Sequence, residues 1–272
     1  MADNYRRPAD LPEYDRPAVN ETVMGVDFAP LRGWNVTHYG LLFKRFEERY
    51  PNVQTQPPLV QQIEDFGAST PAPQQPFEFS VGSGAMDTRC WFIDQSDTEL
   101  LQVQADRFLR NWRQRSNAQY PRYIKVRKDF AEDWERYLGF LRDHRLGEPE
   151  VRQVELSYIN LIESTHLHDV LSSWRERAEG AFLPTPERGS MTLSFRVPSK
   201  PMRFHVAVQP VVRVSDGKEV LQMTLTVRGV MQSPAGKDLL AWFDEAHTWA
   251  VKGFDELTTT KMHQEWGKRG GP

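Results

Sequence analysis

Residues 202–230, "MRFHVAVQPVVRVSDGKEVLQMTLTVRGV", constrain the fold more than any other stretch. Leu221, Met223, Leu225 and Val227 alternate with other residues, the period of a strand that buries one face. Ser215-Asp216-Gly217-Lys218 lies between two such runs and reads as a hairpin turn, so the two strands are antiparallel. The same alternation runs through "AVNETVMGVDF", with Met24, Val26 and Phe28, and through "VRQVELSYINLIE", with Val154, Leu156, Tyr158 and Ile162. "RCWFI" and "TELLQVQADRF" read as two strands joined near Asp94–Asp97, and "GSMTLSFRV" as another.

Helical stripes separate these groups. Tyr39, Leu42, Phe43, Phe46 and Tyr50 form one apolar face, stopped by Pro51. Phe130, Trp134, Tyr137, Leu138 and Leu141 form a second, with Asp129 and Glu132 spaced as a capping box and Gly147 beyond its end. "LHDVLSSWRERA" is a short helical piece. Ser233 and Pro234 are spaced as the cap and first residue of a last helix, whose stripe is Leu239, Phe243, Ala246, Ala250, Phe254 and Leu257.

The order strand–helix–strands–helix therefore occurs twice, over 18–147 and 148–267. The expected class is α+β: two similar strand-helix-strand-strand-helix units with mostly antiparallel sheet, a pseudo-duplicated single domain. Periodicity leaves open whether the units share one sheet. Residues 1–17, with Pro8, Pro12 and Pro17, are expected to be a flexible arm, and 268–272 a tail. From Pro51 to Pro76 the chain carries six prolines, the mark of a functional or partly disordered loop.

"RPAVNETVMGVDF", "LQVQADRFLRNWRQ" followed by "YPRY", "ELSYIN", and "FDEAHTWAVKGF" with "EWG" together resemble a sporadically distributed family of uncharacterised bacterial proteins of about this length. The resemblance spans nearly the whole chain and implies a fold family without an assigned reaction. The family's scattered distribution implies accessory genes, such as defence or toxin–antitoxin neighbourhoods.

Composition narrows the function classes. A formal net charge of −3 provides no global basic field for nucleic acid or anionic lipid, so binding of either needs a local patch. No apolar run reaches membrane-span length, no secretory centre opens the chain, and a cytoplasmic protein is the expectation. The lone Cys90 forms no disulfide framework and no cysteine zinc site, and within a strand it reads as inert. Nucleophile elbows, phosphate-binding glycine loops and dinucleotide fingerprints are absent, and "VGSGAMD" is too loosely spaced to count. His166, His168 and Asp169 lead into a helix, where i and i+2 point apart, so no metal site is expected. His247 and His263 are placed on one last helix, sixteen residues apart, too distant to act together. No catalytic residue and no cofactor is expected.

The candidate site is an arginine–aromatic stretch: Arg107, Arg110, Asn111, Trp112, Arg113, Tyr120 and Arg122. With the strand ending near Phe108, Arg110, Asn111, Trp112 and Arg113 fall on the following loop, where guanidinium groups grip a phosphate or carboxylate and Trp112 or Tyr120 stacks on a base. The competing reading pairs Arg107 and Arg110 with carboxylates such as Asp106 and Glu132 while Trp112 covers the sheet. Asn160 and Arg228 are expected to rim a common cleft with Arg110. The favoured function is a non-catalytic protein-interaction or recognition protein, its partner another protein. Nucleic-acid or nucleotide/phosphate binding through the arginine–aromatic patch comes second, and an enzyme with an unrecognised site third.

Overall fold

The computed structural model describes residues 5–67, 88–116, 118–175, 182–184, 186–231 and 236–269. The expected cap at Ser233-Pro234, the "VGSGAMD" segment and residues 68–76 of the proline-rich connection lie outside them.

Period-two runs become long strands. β1 (Glu13–Tyr14) precedes β2 (Val19–Phe28), α1 (Val36–Phe46), β3 (Asn52–Gln56), β4 (Arg89–Ile93), β5 (Glu99–Gln104), β6 (Arg107–Arg113) and α2 (Tyr123–Asp143). The second half follows with β7 (Val151–Ile162), α3 (Leu167–Val170), β8 (Met191–Arg196), β9 (Met202–Val212), β10 (Glu219–Gly229), α4 (Gly236–Leu257), α5 (Thr260–Glu265) and β11 (Lys268–Arg269).

Among the described residues, nine strands form one sheet in the order β3-β4-β5-β6-β2-β7-β10-β9-β8, with every pair antiparallel. The class is thus α+β with a mostly antiparallel sheet, and both halves contribute to the same sheet. The first strands of the halves, β2 and β7, meet at its centre with Met24 opposite Leu156. The last strand of each half, β6 or β10, flanks its own first strand.

Helices α1, α2 and α4 pack against one face only. Strand alternation supplies that face: Met24, Val26, Phe28, Phe108, Val154, Leu156, Met223, Leu225 and Val206 are all buried in the common core. Phe108 sits 4.9 Å from Tyr137, and Phe130 lies 4.9 Å from Phe243, so rings lock α2 to β6 and to α4. Each such buried side chain contributes about 1.5–3 kcal/mol by area. At Gly253 a Cβ would lie 2.7 Å from Cζ of Phe204, so only glycine lets α4 settle this low on the sheet.

Five expectations need correcting. The run "TELLQVQADRF" is not one strand: Gln104 pairs with Arg107, so Ala105-Asp106 is a two-residue turn and β6 continues to Arg113. The loop expected after Phe108 is therefore a central strand. Asp129 caps nothing. α2 begins at Tyr123, and Asp129 is buried in its interior, where a buried arginine holds it. The proline-rich connection contains an edge strand, β3. Lys268 and Arg269, expected in the tail, pair with Tyr14 and Glu13 of the expected arm, and Tyr14 and Leu11 are buried. The last helix is two helices, because Thr258 caps back onto Phe254 and Thr259 starts α5 through Met262.

Candidate functional site

Strand alternation separates the seven candidate residues. Arg107, Asn111 and Arg113 point to the face of the sheet without helices, while Arg110 and Trp112 point to the helix face, as their register against Met24 and Thr22 requires. Tyr120 and Arg122 lie beyond β6, beside the start of α2. The stretch is not one site.

Arg110 is a structural charge. It is 1% exposed, and its Nε lies 3.0 Å from Asp133 while its Nη2 lies 3.1 Å from Asp129 and 3.0 Å from Glu99. Arg49 bonds Glu99 at 2.7 Å, Tyr50 donates to Asp133 at 2.6 Å, and Lys125 reaches Asp129 at 2.7 Å. Burial works against the Arg110 charge, yet Tyr50, Glu99, Asp133 and Asp129 override it and raise its pKa. The carboxylates come from β5 and α2, not from Asp106 or Glu132. Trp112 does cover the sheet, 3% exposed beside Tyr120.

The open face carries polar residues that are nonetheless buried: Arg89, Gln102, Asn111, Gln153, Ser157, Thr226, His205 and Arg203. Residues 57–67 cross this face as a strap. Leu59 N–H donates to Gln104 and Glu64 N–H to Gln153, while Gln61 donates to the Phe28 and Asp106 carbonyls. The strap ends on β9, where Glu64 meets Arg203 and lies 2.7 Å from His205. Burial alone would raise the Glu64 carboxyl, but the His205 and Arg203 bonds hold it below its ordinary value.

Beside the strap lies a groove of about 580 Å³. Five of its lining residues are arginines, at 89, 107, 113, 115 and 228, against three carboxylates, Glu21, Asp27 and Glu155. Arg107 is paired with Asp27, Arg228 with Glu155, and both Arg113 and Arg115 with Asp97. Burial pushes up the Glu155 carboxyl, and Arg228 with Arg107 reverses this, leaving it lowered. A one-way chain of hydrogen bonds crosses the groove floor. Arg89 Nη1 donates to Gln102 at 2.8 Å, Gln102 to Asn111 at 2.9 Å, and Asn111 to Glu21 at 2.6 Å. This chain fixes the orientation of both amides.

Arg89 stands apart from the other groove arginines. Gln102 is its one hydrogen-bond partner among the described residues, and its Nε and Nη2 have none. It is 3% exposed and packs over Trp91 at 5.3 Å, with Arg113 over the same ring at 5.5 Å. Burial, with Arg107 nearby, pushes its pKa down to about 10. Arg113 likewise leaves its Nε without a partner among the described residues. The Nε–Nη2 edge of Arg89 is the edge that grips a carboxylate or phosphate side-on.

The expected cleft joining Arg110, Asn160 and Arg228 does not form. Arg228 faces the groove, whereas Asn160 lies on the helix side and donates to the Met223 carbonyl at 3.1 Å. Arg122 has φ 71° and is held there by bonds to the Tyr14 and Asp15 carbonyls, at 2.7 and 3.3 Å. Cys90 is buried on the helix side, where burial raises its thiol to about 11. Asp169 is held by Lys261 at 2.9 Å, and the described residues contain no cluster of metal-binding side chains. No described helix is long and apolar enough to cross a membrane.

Arg89, Trp91, Gln102, Glu155, Arg203 and His205 were not among the sequence candidates. Their signal was the off-phase position: polar residues at alternate places in "RCWFI", "VELSYIN", "RFHVAV" and "TLTVRG" mark the second face of the same strands.

No family model and no curated protein matches the chain. The structure of DynU16, from the dynemicin biosynthetic locus, matches at 13% identity over 87% of this chain and 98% of that one, with a TM-score of 0.23. So loose a superposition bears on neither fold nor function.

Proposed function

We propose that the chain is a non-catalytic binding protein whose open-face groove holds a small carboxylate- or phosphate-bearing ligand. The observation that carries this reading is Arg89: a buried cation whose Nε and Nη2 have no hydrogen-bond partner, and which makes no ion pair, among the described residues. An uncompensated buried charge costs several kcal/mol, which a bound anion would offset. Arg113 Nε offers a further donor, and the Trp91 ring, which both guanidinium groups overlie, holds Arg89 and Arg113 in place. Asn111 and Gln102 present amides of fixed orientation for the uncharged part of the ligand. The paired charges along the groove leave little net positive field, which disfavours a long polyanion such as a nucleic-acid duplex.

Calorimetric titration at low salt with inorganic phosphate, citrate and a nucleoside monophosphate tests this. At least one should bind saturably, and Arg89→Gln should weaken it about 10-fold or more, the worth of a charged hydrogen bond. The ligand-free variant should be as stable as the parent or more so, because it loses an unpaired buried charge. Absence of anion binding, or an undiminished affinity in Arg89→Gln, would remove the proposal.

A protein partner is the second reading. β3 is an exposed edge strand, and such an edge accepts an added strand from another chain. Co-elution with a neighbouring gene product, abolished by Thr55→Pro, is the expected result, and elution as separate species would count against it. We also infer that the halves arose by duplication of one unit. The support is their common layout, in which the first strand lies inside, the last beside it and the others outward.

A further inference from the structure

A second cavity, of about 300 Å³, lies on the helix side between α4, the start of α2 and the segment from Leu11 to Val19. It is independent of the groove. Tyr120, Tyr123, Phe254 and Leu225 supply apolar walls, and Tyr158 and His247 line the same space. The His247 ring stacks on Tyr123 at 3.8 Å with 8° between planes, which makes one wall flat. His247 Nδ1 lies 2.8 Å from the Tyr158 hydroxyl. The Tyr120 hydroxyl also bonds Tyr158, so Tyr120, Tyr158 and His247 form a chain that, whichever way it runs, retains one further donor and one further acceptor. Charged residues stay at the rim. Arg7 and Glu13 are exposed, and Arg122 is bonded to main-chain carbonyls. The outer wall is tied down by the Tyr14 hydroxyl on Asp255 at 2.6 Å and by the β1–β11 pair.

Ligand pockets of this kind are mostly apolar, with a few fixed polar groups that set orientation. We propose that this cavity binds an uncharged, planar aromatic ligand with one hydroxyl or carbonyl, its rings between the tyrosines and its polar atom on the Tyr158–His247 pair. An anionic ligand is disfavoured, since its charge would lose water inside, and Arg7, whose charge reaches His247 from the rim, is exposed and already bonded to the Leu11 carbonyl. Burial lowers the His247 pKa, which leaves the ring neutral and suits it to such a ligand.

Equilibrium dialysis of the full chain against 2-naphthol, naphthalene and 2-naphthoate tests the inference. 2-Naphthol should bind saturably and about fivefold more tightly than naphthalene, the worth of one net hydrogen bond. Tyr158→Phe should erase that preference without abolishing naphthalene binding. Ala250→Leu, which fills the cavity from α4, should weaken both ligands while thermal unfolding stays cooperative. Arg89→Gln should leave 2-naphthol binding unchanged, which separates this site from the groove. No saturable binding to the wild type, a preference that survives Tyr158→Phe, or tighter binding of 2-naphthoate would each overturn it.

Discussion

Arg110→Met is expected to lower unfolding stability by about 3–5 kcal/mol, measured by urea titration, because it leaves buried carboxylates without their central cation. Asp133 is 1% exposed and Asp129 6%, so neither regains water when the guanidinium goes. Arg49 and Lys125 remain, but they sit nearer the surface: Arg49 reaches Asp133 only at 3.5 Å while bonding Glu99 at 2.7 Å, and Lys125 serves Asp129. The double variant Arg110→Met with Asp133→Leu should be more stable than the sum of its single changes by about 0.5–3 kcal/mol, the usual coupling of groups in contact. A single variant within about 1 kcal/mol of wild type would mean that Arg110 does not neutralise this cluster.

His247 governs the second large effect, a dependence on pH. Burial, with Arg7 adding repulsion, pushes its pKa from 6.5 down to about 3. Between those values the unfolded chain holds a proton that the folded chain excludes, so stability rises with pH across this window. The contribution is complete above pH 6.5 and erodes as pH falls toward 3, by up to about 1.4 kcal/mol per unit. Between pH 6.5 and 4.5 the wild type should therefore lose about 2–3 kcal/mol that His247→Asn does not lose. Asn can still meet the Tyr158 hydroxyl and does not titrate. Parallel stability–pH curves for the two proteins would show that His247 takes up its proton without unfolding the site.

The strands and amphipathic helices were legible because each follows from local period: Leu221 to Val227 and Tyr39 to Tyr50 reveal their buried faces in sequence alone. β6 was not. Its apolar face carries Arg110 between Phe108 and Trp112, and its other face carries Arg107, Asn111 and Arg113, so polar residues on both sides hide the alternation. The partners that make Arg110 tolerable lie on β5 and α2, and no short window contains them. The turn at Ala105-Asp106 has none of the glycine or Asn-Gly chemistry that announces a hairpin. The groove was missed for a related reason. Arg89, Glu155, His205 and Arg228 come from four strands, and register alone gathers them. Asp129 looked like a cap because a cap and a buried ion-pair acceptor require the same residue type.

The seam between β2 and β7 has a consequence for how the chain is made. Val26 opposes Phe108 on one side and Val154 on the other, so a partner of β2 is encoded more than a hundred residues downstream. While the ribosome has delivered only α2, the middle of the eventual sheet is a bare rim, with its amides and carbonyls open to any passing strand. Arrival of β7 closes that rim and joins the two halves in a single late event, so chain synthesis itself sets a period of vulnerability to misassembly.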